Sequence, residues 1–140
     1  MFTHVNIVLR YILSYDVPMG SHVAVITGGA QGIGKQTAHV LNELGWSLVL
    51  LDLQVVDVTV YKDALSLVGD ITSENFVQSA VDATMKRFGR VEALVNNAGI
   101  SCISAALDTP ADLYRKVIDV NLVAPFLLAK AFKTLSKNKI

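Results

Sequence analysis

Four short apolar runs recur along the chain, separated by longer segments with a different pattern. Each run is four to six residues long and consists mostly of leucine, valine, isoleucine and alanine. Runs of this length and composition are typical of strands that are buried on both faces of a sheet. They lie at residues 22–27, 46–51, 65–68 and 91–95.

The segments between these runs place apolar residues at helical spacing. The spacing predicts a helix over about 33–44 and a second helix that Ser73 opens and Gly89 ends. A longer helix follows the fourth run and extends close to the C-terminus, with Thr109 as its N-cap and Pro110 at its first position. Strands and helices therefore alternate along the chain.

This alternation predicts an α/β fold with a doubly wound parallel sheet of the Rossmann type. We expect about four strands in the spatial order 3-2-1-4, joined by right-handed connections, with helices on both faces of the sheet.

Composition excludes several classes of protein. Hydrophobic residues make up 52% of the 140 residues and the formal net charge is zero, which excludes a disordered chain and leaves no electrostatic footprint for nucleic acid. The single cysteine, Cys102, excludes an internal disulfide, and the three histidines lack the spacing of metal ligands. No stretch resembles a membrane span or a secretory signal, so we expect a cytoplasmic protein.

The glycine-rich segment after the first predicted strand is the first candidate site. Glycines allow the backbone to turn sharply and approach a pyrophosphate, whose negative charge is stabilised at the N-terminus of the following helix. Strand, glycine loop and helix occur here in the order that a dinucleotide-binding site requires. The segment reads Thr27-Gly28-Gly29-Ala30-Gln31-Gly32-Ile33-Gly34.

An acidic residue, Asp52, follows Gly34 by 18 positions at the end of the second predicted strand. A carboxylate there accepts hydrogen bonds from the adenosine ribose hydroxyls of NAD and repels the additional phosphate of NADP. The glycine loop contains no lysine or arginine that would attract this phosphate, so we expect NAD as the preferred cofactor. The alternative is a tight turn followed by a solvated carboxylate, without a ligand.

Four segments at matching intervals resemble the classical short-chain dehydrogenase/reductase family, from about His22 to the C-terminus. The first is the glycine loop, in which Thr-Gly is followed after three residues by Gly-Ile-Gly. The others are Gly69-Asp70-Ile71-Thr72, Asn96-Asn97-Ala98-Gly99 and Val120-Asn121-Leu122.

The resemblance implies a role for each of these segments. In the family, the Asp of the second segment contacts the adenine ring, and the Asn-Asn-Ala-Gly motif stabilises the central sheet and lines the cofactor. The residues that this resemblance and the glycine loop assign to cofactor binding are Thr27, Gly28, Gln31, Gly32, Ile33, Gly34, Asp52, Asp70, Ile71, Asn97, Ala98 and Gly99.

Asn121 resembles the catalytic asparagine of the family, which holds a water molecule in the proton relay. Local chemistry agrees, because Pro125 has no N–H and leaves the carbonyl of Asn121 without its helical hydrogen bond. The alternative is a proline kink that has no function.

The remaining catalytic residues of the family, a serine and a Tyr-x-x-x-Lys pair, have no counterpart in this sequence. None of the four tyrosines is followed by lysine four residues later. We therefore expect an N-terminal extension over 1–18 and a cofactor-binding Rossmann domain over 19–140 that ends before the catalytic segment.

Three functional hypotheses remain open. The first is an NAD-dependent oxidoreductase that transfers a hydride between nicotinamide and an alcohol or carbonyl substrate, although we expect the 140 residues alone to be inactive. The second is a catalytically inactive protein that binds a nucleotide or dimerises, and the third is a truncated product without function. Since the resemblance implies a fifth strand that would cover the fourth, we also expect self-association or pairing with a full-length relative.

Overall fold

The computed structural model describes residues 22–133, which form a four-stranded sheet with helices on both faces. All neighbouring strands are parallel, and their order is β3-β2-β1-β4. This confirms the predicted fold class and strand order. The predicted extension over 1–18 lies outside the described residues. The strands are β1 (Val23–Thr27), β2 (Ser47–Asp52), β3 (Ala64–Val68) and β4 (Ala93–Val95).

The helices cover the sheet in two layers, because alternate residues of each strand point to opposite faces. Val23 and Val25 of β1 belong to one core cluster, whereas Ala24 and Ile26 belong to the other. Both clusters are apolar, as expected for a parallel sheet covered on both faces. The helices are α1 (Gly32–Glu43), α2 (Glu74–Phe88), α3 (Ala111–Ile118) and α4 (Ala124–Lys133).

Helices α2 and α4 cover one face of the sheet, and α1 covers the other. Val77 and Ala80 of α2 and Leu128 of α4 belong to the same cluster as Val25. Ala38 and Leu41 of α1 belong to the opposite cluster. Leu128 and Ala38 are fully buried, so each helix contributes a well-packed apolar stripe.

The carboxyl ends of the parallel strands meet at one edge of the sheet. β1 ends at Thr27, β2 ends at Asp52, and β4 ends just before Asn96. β1 pairs with β2 on one side and with β4 on the other, so the direction of strand addition reverses at β1. In open α/β sheets, ligands bind in the crevice beside such a switch point.

The long C-terminal helix differs from the prediction in two respects. The N-cap of α3 is Pro110 and not Thr109, whose hydroxyl instead donates to the carbonyl of Ala105 at 3.0 Å. The helix is also interrupted by a π-helical turn, Asp119–Val123, in which the amide of Ala124 donates to the carbonyl of Asp119, five residues earlier. Pro125 follows this turn and lacks the N–H that an uninterrupted α-helix would use, so the departure from α-helical bonding occurs beside it.

Within residues 22–133, no helix has the length and apolar character needed to cross a lipid bilayer.

Candidate functional site

The glycine loop joins β1 to α1 and turns sharply at Gly28. This residue has φ = +68° and Gly32 has φ = +57°, a left-handed conformation that side-chain-bearing residues rarely adopt. The amide of Gly28 donates to the carbonyl of Leu51 at 2.8 Å. The loop therefore begins in contact with the end of β2.

Gly34 lies where the helix crosses the start of the loop. A Cβ atom at this position would collide with the carbonyl oxygen of Gly28 and with Nδ2 of Asn97. A Cβ atom at Gly28 would meet the same Nδ2 atom at 2.9 Å. Glycine is needed at both positions because the helix, the loop and the Asn97 side chain approach each other closely.

The N-terminus of α1 is open to an external anion. Its N-cap residue, Gln31, has an extended backbone and makes no side-chain capping bond within the described residues, and the first turn of α1 contains no acidic residue. The first amides of a helix have no partner inside it, and the helix dipole adds a partial positive charge there. Ile33 stands beside this end with 70% of its surface exposed. A pyrophosphate fits this arrangement.

Asp52 at the end of β2 is half-buried and binds two backbone amides. Its Oδ2 atom accepts a hydrogen bond from the amide of Ala30 at 2.9 Å, and its Oδ1 atom accepts one from the amide of Gln54 at 3.0 Å. The carboxylate thus faces the glycine loop at the edge of the sheet where ligands are expected.

Thr27 and Asn97 connect the ends of β1 and β4. The buried hydroxyl of Thr27 accepts from the amides of Asn97 at 3.0 Å and Ala98 at 2.9 Å. The side-chain amide of Asn97 donates to the carbonyls of Thr27 at 2.9 Å and Gly28 at 3.2 Å. These bonds hold the motif that contains Gly99 against the glycine loop.

Asp70 and Ile71 follow β3 but differ in exposure. Asp70 is exposed, and its Oδ1 atom accepts bonds from the amide and the hydroxyl of Thr72 at 2.9 Å and 2.8 Å. Ile71 is buried in the core cluster that α2 and α4 cover. A contact between Ile71 and a cofactor would therefore come from its backbone and not from its side chain.

The hydrogen bonds of Asp70 predict that the stability of the fold decreases slightly at acid pH. The amide of Thr72, its hydroxyl and the charge of Lys116 hold the pKa of Asp70 below its ordinary value. Because the folded-state pKa is lowered, the ionised carboxylate stabilises the fold at neutral pH, and this contribution is lost as the pH falls through the folded-state pKa. We expect Asp70→Asn to lower Tm by about 1–3 °C at pH 7, since the group is exposed.

The measurement is a series of thermal melts of the unaltered chain and of the Asp70→Asn variant, from pH 7 down to about pH 2.5, which lies below the ordinary pKa of an aspartate. The two Tm values should converge at the acid end. A difference that stays constant over this range would contradict the assignment.

Asn121 lies in the π-helical turn, and its side chain makes two hydrogen bonds with the backbone of Ile100. Its Nδ2 atom donates to the Ile100 carbonyl at 2.8 Å, and its Oδ1 atom accepts from the Ile100 amide at 2.9 Å. A Cβ atom at Gly99 would meet Oδ1 of Asn121 at 3.2 Å. The side chain therefore fixes the segment after β4 to the helix, a contact that the sequence pattern did not reveal.

A groove of about 540 Å³ lies beside the loop that follows Ile100, and its lining includes Cys102, Ser104, Thr109 and Tyr114. The Thr109 hydroxyl donates to a carbonyl, so its 2.6 Å bond with Ser104 must use the Ser104 proton. Ser104 then accepts from the thiol of Cys102 at 3.2 Å. These bonds order the loop internally.

The structure brings most of the predicted site residues to one edge of the sheet. The glycine loop, Asp52 and the Asn97 motif are joined by hydrogen bonds, whereas Asp70 lies on the neighbouring strand end. Sequence reasoning did not single out Ala30 and Ile100, which contribute backbone groups that have no side-chain signature. No cluster of three potential metal-ligating side chains occurs in the part of the chain that the structure describes.

Comparison with known proteins identifies the family. A family model described as short chain dehydrogenase matches residues 22–139. Dehydrogenase/reductase SDR family member 7 of Homo sapiens is 36% identical over 120 residues, covering 77% of this chain and 35% of that protein. An NAD-dependent glycerol dehydrogenase from Listeria innocua is 34% identical over 120 residues, covering 82% of this chain and 47% of that protein.

Solved structures show the same similarity. A 3-ketoacyl-(acyl-carrier-protein) reductase from Brucella melitensis, complexed with NADH, has a TM-score of 0.79 and 28% identity, covering 84% of this chain and 51% of that one. A metagenomic short-chain oxidoreductase in complex with NADP has a TM-score of 0.77 and 28% identity, covering 84% of this chain and 57% of that one. The chain thus spans between 35% and 57% of the length of these four proteins.

The predicted resemblance is confirmed by these comparisons. Three observations agree with this assignment. They are the strand-loop-helix unit with an open helix N-terminus, the four-stranded parallel sheet of order 3-2-1-4, and the family match over residues 22–139. This chain belongs to the short-chain dehydrogenase family, whose members among its relatives are oxidoreductases.

Proposed function

We propose that residues 19–140 form the NAD-binding part of an oxidoreductase that acts on an alcohol or carbonyl substrate. The observation that carries this proposal is the arrangement of Asp52 beside the glycine loop, at the switch point of the sheet. The N-terminus of α1 supplies unpaired amides for the pyrophosphate, and the Asp52 carboxylate faces the place where an adenosine ribose would lie.

The cofactor-binding surface in this proposal consists of three connected parts. The glycine loop binds the pyrophosphate, Asp52 and Asp70 face the adenosine, and the segment after β4 lines the nicotinamide side. When bound, the nicotinamide ring would donate or accept the hydride. The residues assigned to this surface are Thr27, Gly28, Gln31, Gly32, Ile33, Gly34, Asp52, Asp70, Ile71, Asn97, Ala98 and Gly99.

The preference for NAD over NADP is part of the same proposal. A phosphate on the adenosine ribose would approach the negative charge of Asp52, and the loop between Gly28 and Gly34 carries no lysine or arginine to compensate. Lys35 follows the loop directly, but the charge of Asp57 lies close enough to interact with it. The similar structures include complexes with NADH and with NADP, so the preference rests on these side chains.

Asn121 is proposed to serve the proton relay through its backbone. Its side-chain amide is committed to Ile100, which leaves the main-chain carbonyl as the group that could hold a water molecule. Pro125 cannot donate an N–H to that carbonyl. The groove near Cys102 would form one wall of the substrate site.

A second candidate function is favoured by the apolar surface of the described residues. β4 lies at the edge of the described sheet, and Tyr114 and Phe126 each expose more than half of their surface. A nucleotide-binding protein that pairs with itself or with a full-length relative would cover this surface.

Calorimetric titration of the purified chain with NADH tests the first proposal, with NADPH as the competing ligand. We expect saturable NADH binding and an affinity for NADPH that is at least about tenfold lower, because of repulsion by Asp52. Asp52→Ala should weaken NADH binding by about tenfold or more. Asp82→Asn is the control, since it removes an exposed carboxylate on α2 that bonds to Gln78 of the same helix and does not contact the glycine loop.

Two outcomes would contradict the first proposal. Equal affinity for NADH and NADPH would contradict the preference, and absence of NADH binding by a folded chain would contradict the binding site itself.

A further inference from the structure

The glycine loop is attached to β2 at three successive residues. The amide of Gly28 bonds to the carbonyl of Leu51, and the amide of Ala30 bonds to Oδ2 of Asp52. Between them, a Cβ atom at Gly29 would meet the side chain of Leu50 at 3.2 Å, so the loop lies directly on this strand. The first attachment is a bond between backbone groups, the second is a packing contact with Leu50, and only the third is a hydrogen bond to a side chain.

The bond from Ala30 to Asp52 differs from the others in strength. A hydrogen bond to an ionised carboxylate is roughly twice as strong as one between neutral groups. In the part of the chain that the structure describes, the amide of Ala30 bonds only to Asp52, and both groups are partly buried. Removing the carboxylate would therefore leave this amide without its partner, just before the first turn of α1.

The same carboxylate still has capacity for a ligand. An ionised carboxylate offers about four lone-pair sites, and the amides of Ala30 and Gln54 occupy one site on each oxygen of Asp52. Two sites remain for the hydroxyls of a ribose. Holding the loop and binding a ribose are therefore compatible and can occur together.

We infer that Asp52 is a positioning residue for the pyrophosphate as well as a ligand for the adenosine ribose. By binding the amide of Ala30, its carboxylate keeps the loop between Gly28 and Gln31 in the conformation that presents the N-terminus of α1. This inference rests on the proposed cofactor site and adds a second role to one of its residues. It also implies that replacing Asp52 removes the repulsion of NADP but loosens the loop that must bind its pyrophosphate.

The first test needs no cofactor and measures amide hydrogen exchange in the free chain. We expect Asp52→Ala to accelerate exchange at the Ala30 amide by about tenfold or more, because a charge-assisted hydrogen bond is lost. Asp82→Asn is the control and should leave that rate unchanged. If Asp52→Ala does not fold, Asp52→Asn keeps the side-chain shape but has one acceptor oxygen for two amides. An unchanged Ala30 exchange rate in a folded Asp52 variant would overturn the inference.

The second test separates the two roles by changing the ligand. The probes are NADH and its analogue that lacks both hydroxyls of the adenosine ribose. If Asp52 acted only on these hydroxyls, Asp52→Ala would not affect binding of the analogue. We expect the variant to bind NADH about 100-fold more weakly than the unaltered chain and the analogue about fivefold to tenfold more weakly.

Each outcome bears on one conclusion. An analogue affinity that is equal in the variant and the unaltered chain would overturn the positioning role. Equal losses for NADH and the analogue would overturn the ribose role but support the positioning role. If the unaltered chain bound neither ligand, the proposed function would fail, while the exchange measurement would still decide whether Asp52 holds the loop.

Discussion

Replacing Gly34 with alanine is expected to lower the free energy of unfolding by about 3 kcal/mol or more. A Cβ atom there would overlap the carbonyl oxygen of Gly28 and Nδ2 of Asn97. The carbonyl belongs to the backbone at a turn with φ = +68°, so it cannot move aside without disturbing the loop. Overpacking in a rigid environment costs about 1–3 kcal/mol and more where no flexible group can yield. Urea unfolding followed by circular dichroism measures the loss.

Gly45→Ala is the matched control for this substitution. Gly45 has φ = +83° but a Cβ atom there would meet no atom within 4 Å. Its replacement therefore imposes only the strain of a left-handed backbone, about 1–2 kcal/mol. Equal losses for the two variants would contradict the close approach at Gly34. The Gly34 variant should also lose NADH binding, because the displaced loop is the proposed pyrophosphate site.

Thr27→Val is expected to destabilise the chain by about 2–5 kcal/mol, although the two side chains have almost the same shape. The hydroxyl of Thr27 accepts hydrogen bonds from the amides of Asn97 and Ala98, and the residue is 1% exposed. A methyl group cannot accept these bonds, so two backbone N–H groups lose their partner at the ends of β1 and β4. Each unsatisfied buried donor costs about 1–3 kcal/mol.

Thr84→Val provides a sharp comparison, because Thr84 is also buried, at 0% exposure. Its hydroxyl donates to the carbonyl of Ala80 in the same helix and accepts no hydrogen bond from a backbone amide within residues 22–133. Removing it leaves no donor without a partner, and we expect a change within about 1 kcal/mol. Chemical denaturation of both variants in parallel measures the difference. Similar losses at Thr27 and Thr84 would show that the two amides are not satisfied through Thr27.

The predictions for Gly34 and Thr27 concern one connected structure. Asn97 donates to the carbonyls of Thr27 and Gly28, and its amide nitrogen limits the space at Gly34. Because these residues share partners, we expect the effects of the two substitutions to be less than additive when they are combined. The proposed cofactor site thus depends on the packing between β1, α1 and the segment after β4.

Most of the fold could be predicted from local pattern. The apolar runs predicted all four strands, and Ser73 and Gly89 are the N-cap and C-cap of α2, as expected. The prediction was weakest in the helix after β4, where Pro110 and not Thr109 is the cap and where a π-helical turn interrupts the helix. A single π-helical turn adds about one residue to the helical repeat, a change too small for apolar periodicity over a helix of this length to reveal.

The sequence predicted which residues belong to the candidate site, but it predicted only some of the contacts between them. The glycine loop and Asp52 were found from their order and spacing. The bond from Asp52 to Ala30 was not, because it joins a side chain to a backbone amide 22 residues away. The sequence pointed to the main-chain carbonyl of Asn121 as the group that holds a water molecule. It did not show that the side chain of Asn121 makes two hydrogen bonds with the backbone of Ile100, 21 residues earlier.

Local patterns in the amino-acid sequence were enough to predict the alternation of strands and helices, the parallel sheet and the family. These properties depend on the spacing of apolar residues and on short motifs, which are local features of the chain. Only the folded structure shows that Asp52 bonds to the glycine loop, that Thr27 joins two strand ends and that the side chain of Asn121 bonds to the segment after β4. Each of these depends on hydrogen bonds to backbone groups. Every residue but proline carries the same donor and acceptor, so only the folded arrangement determines which of them meet.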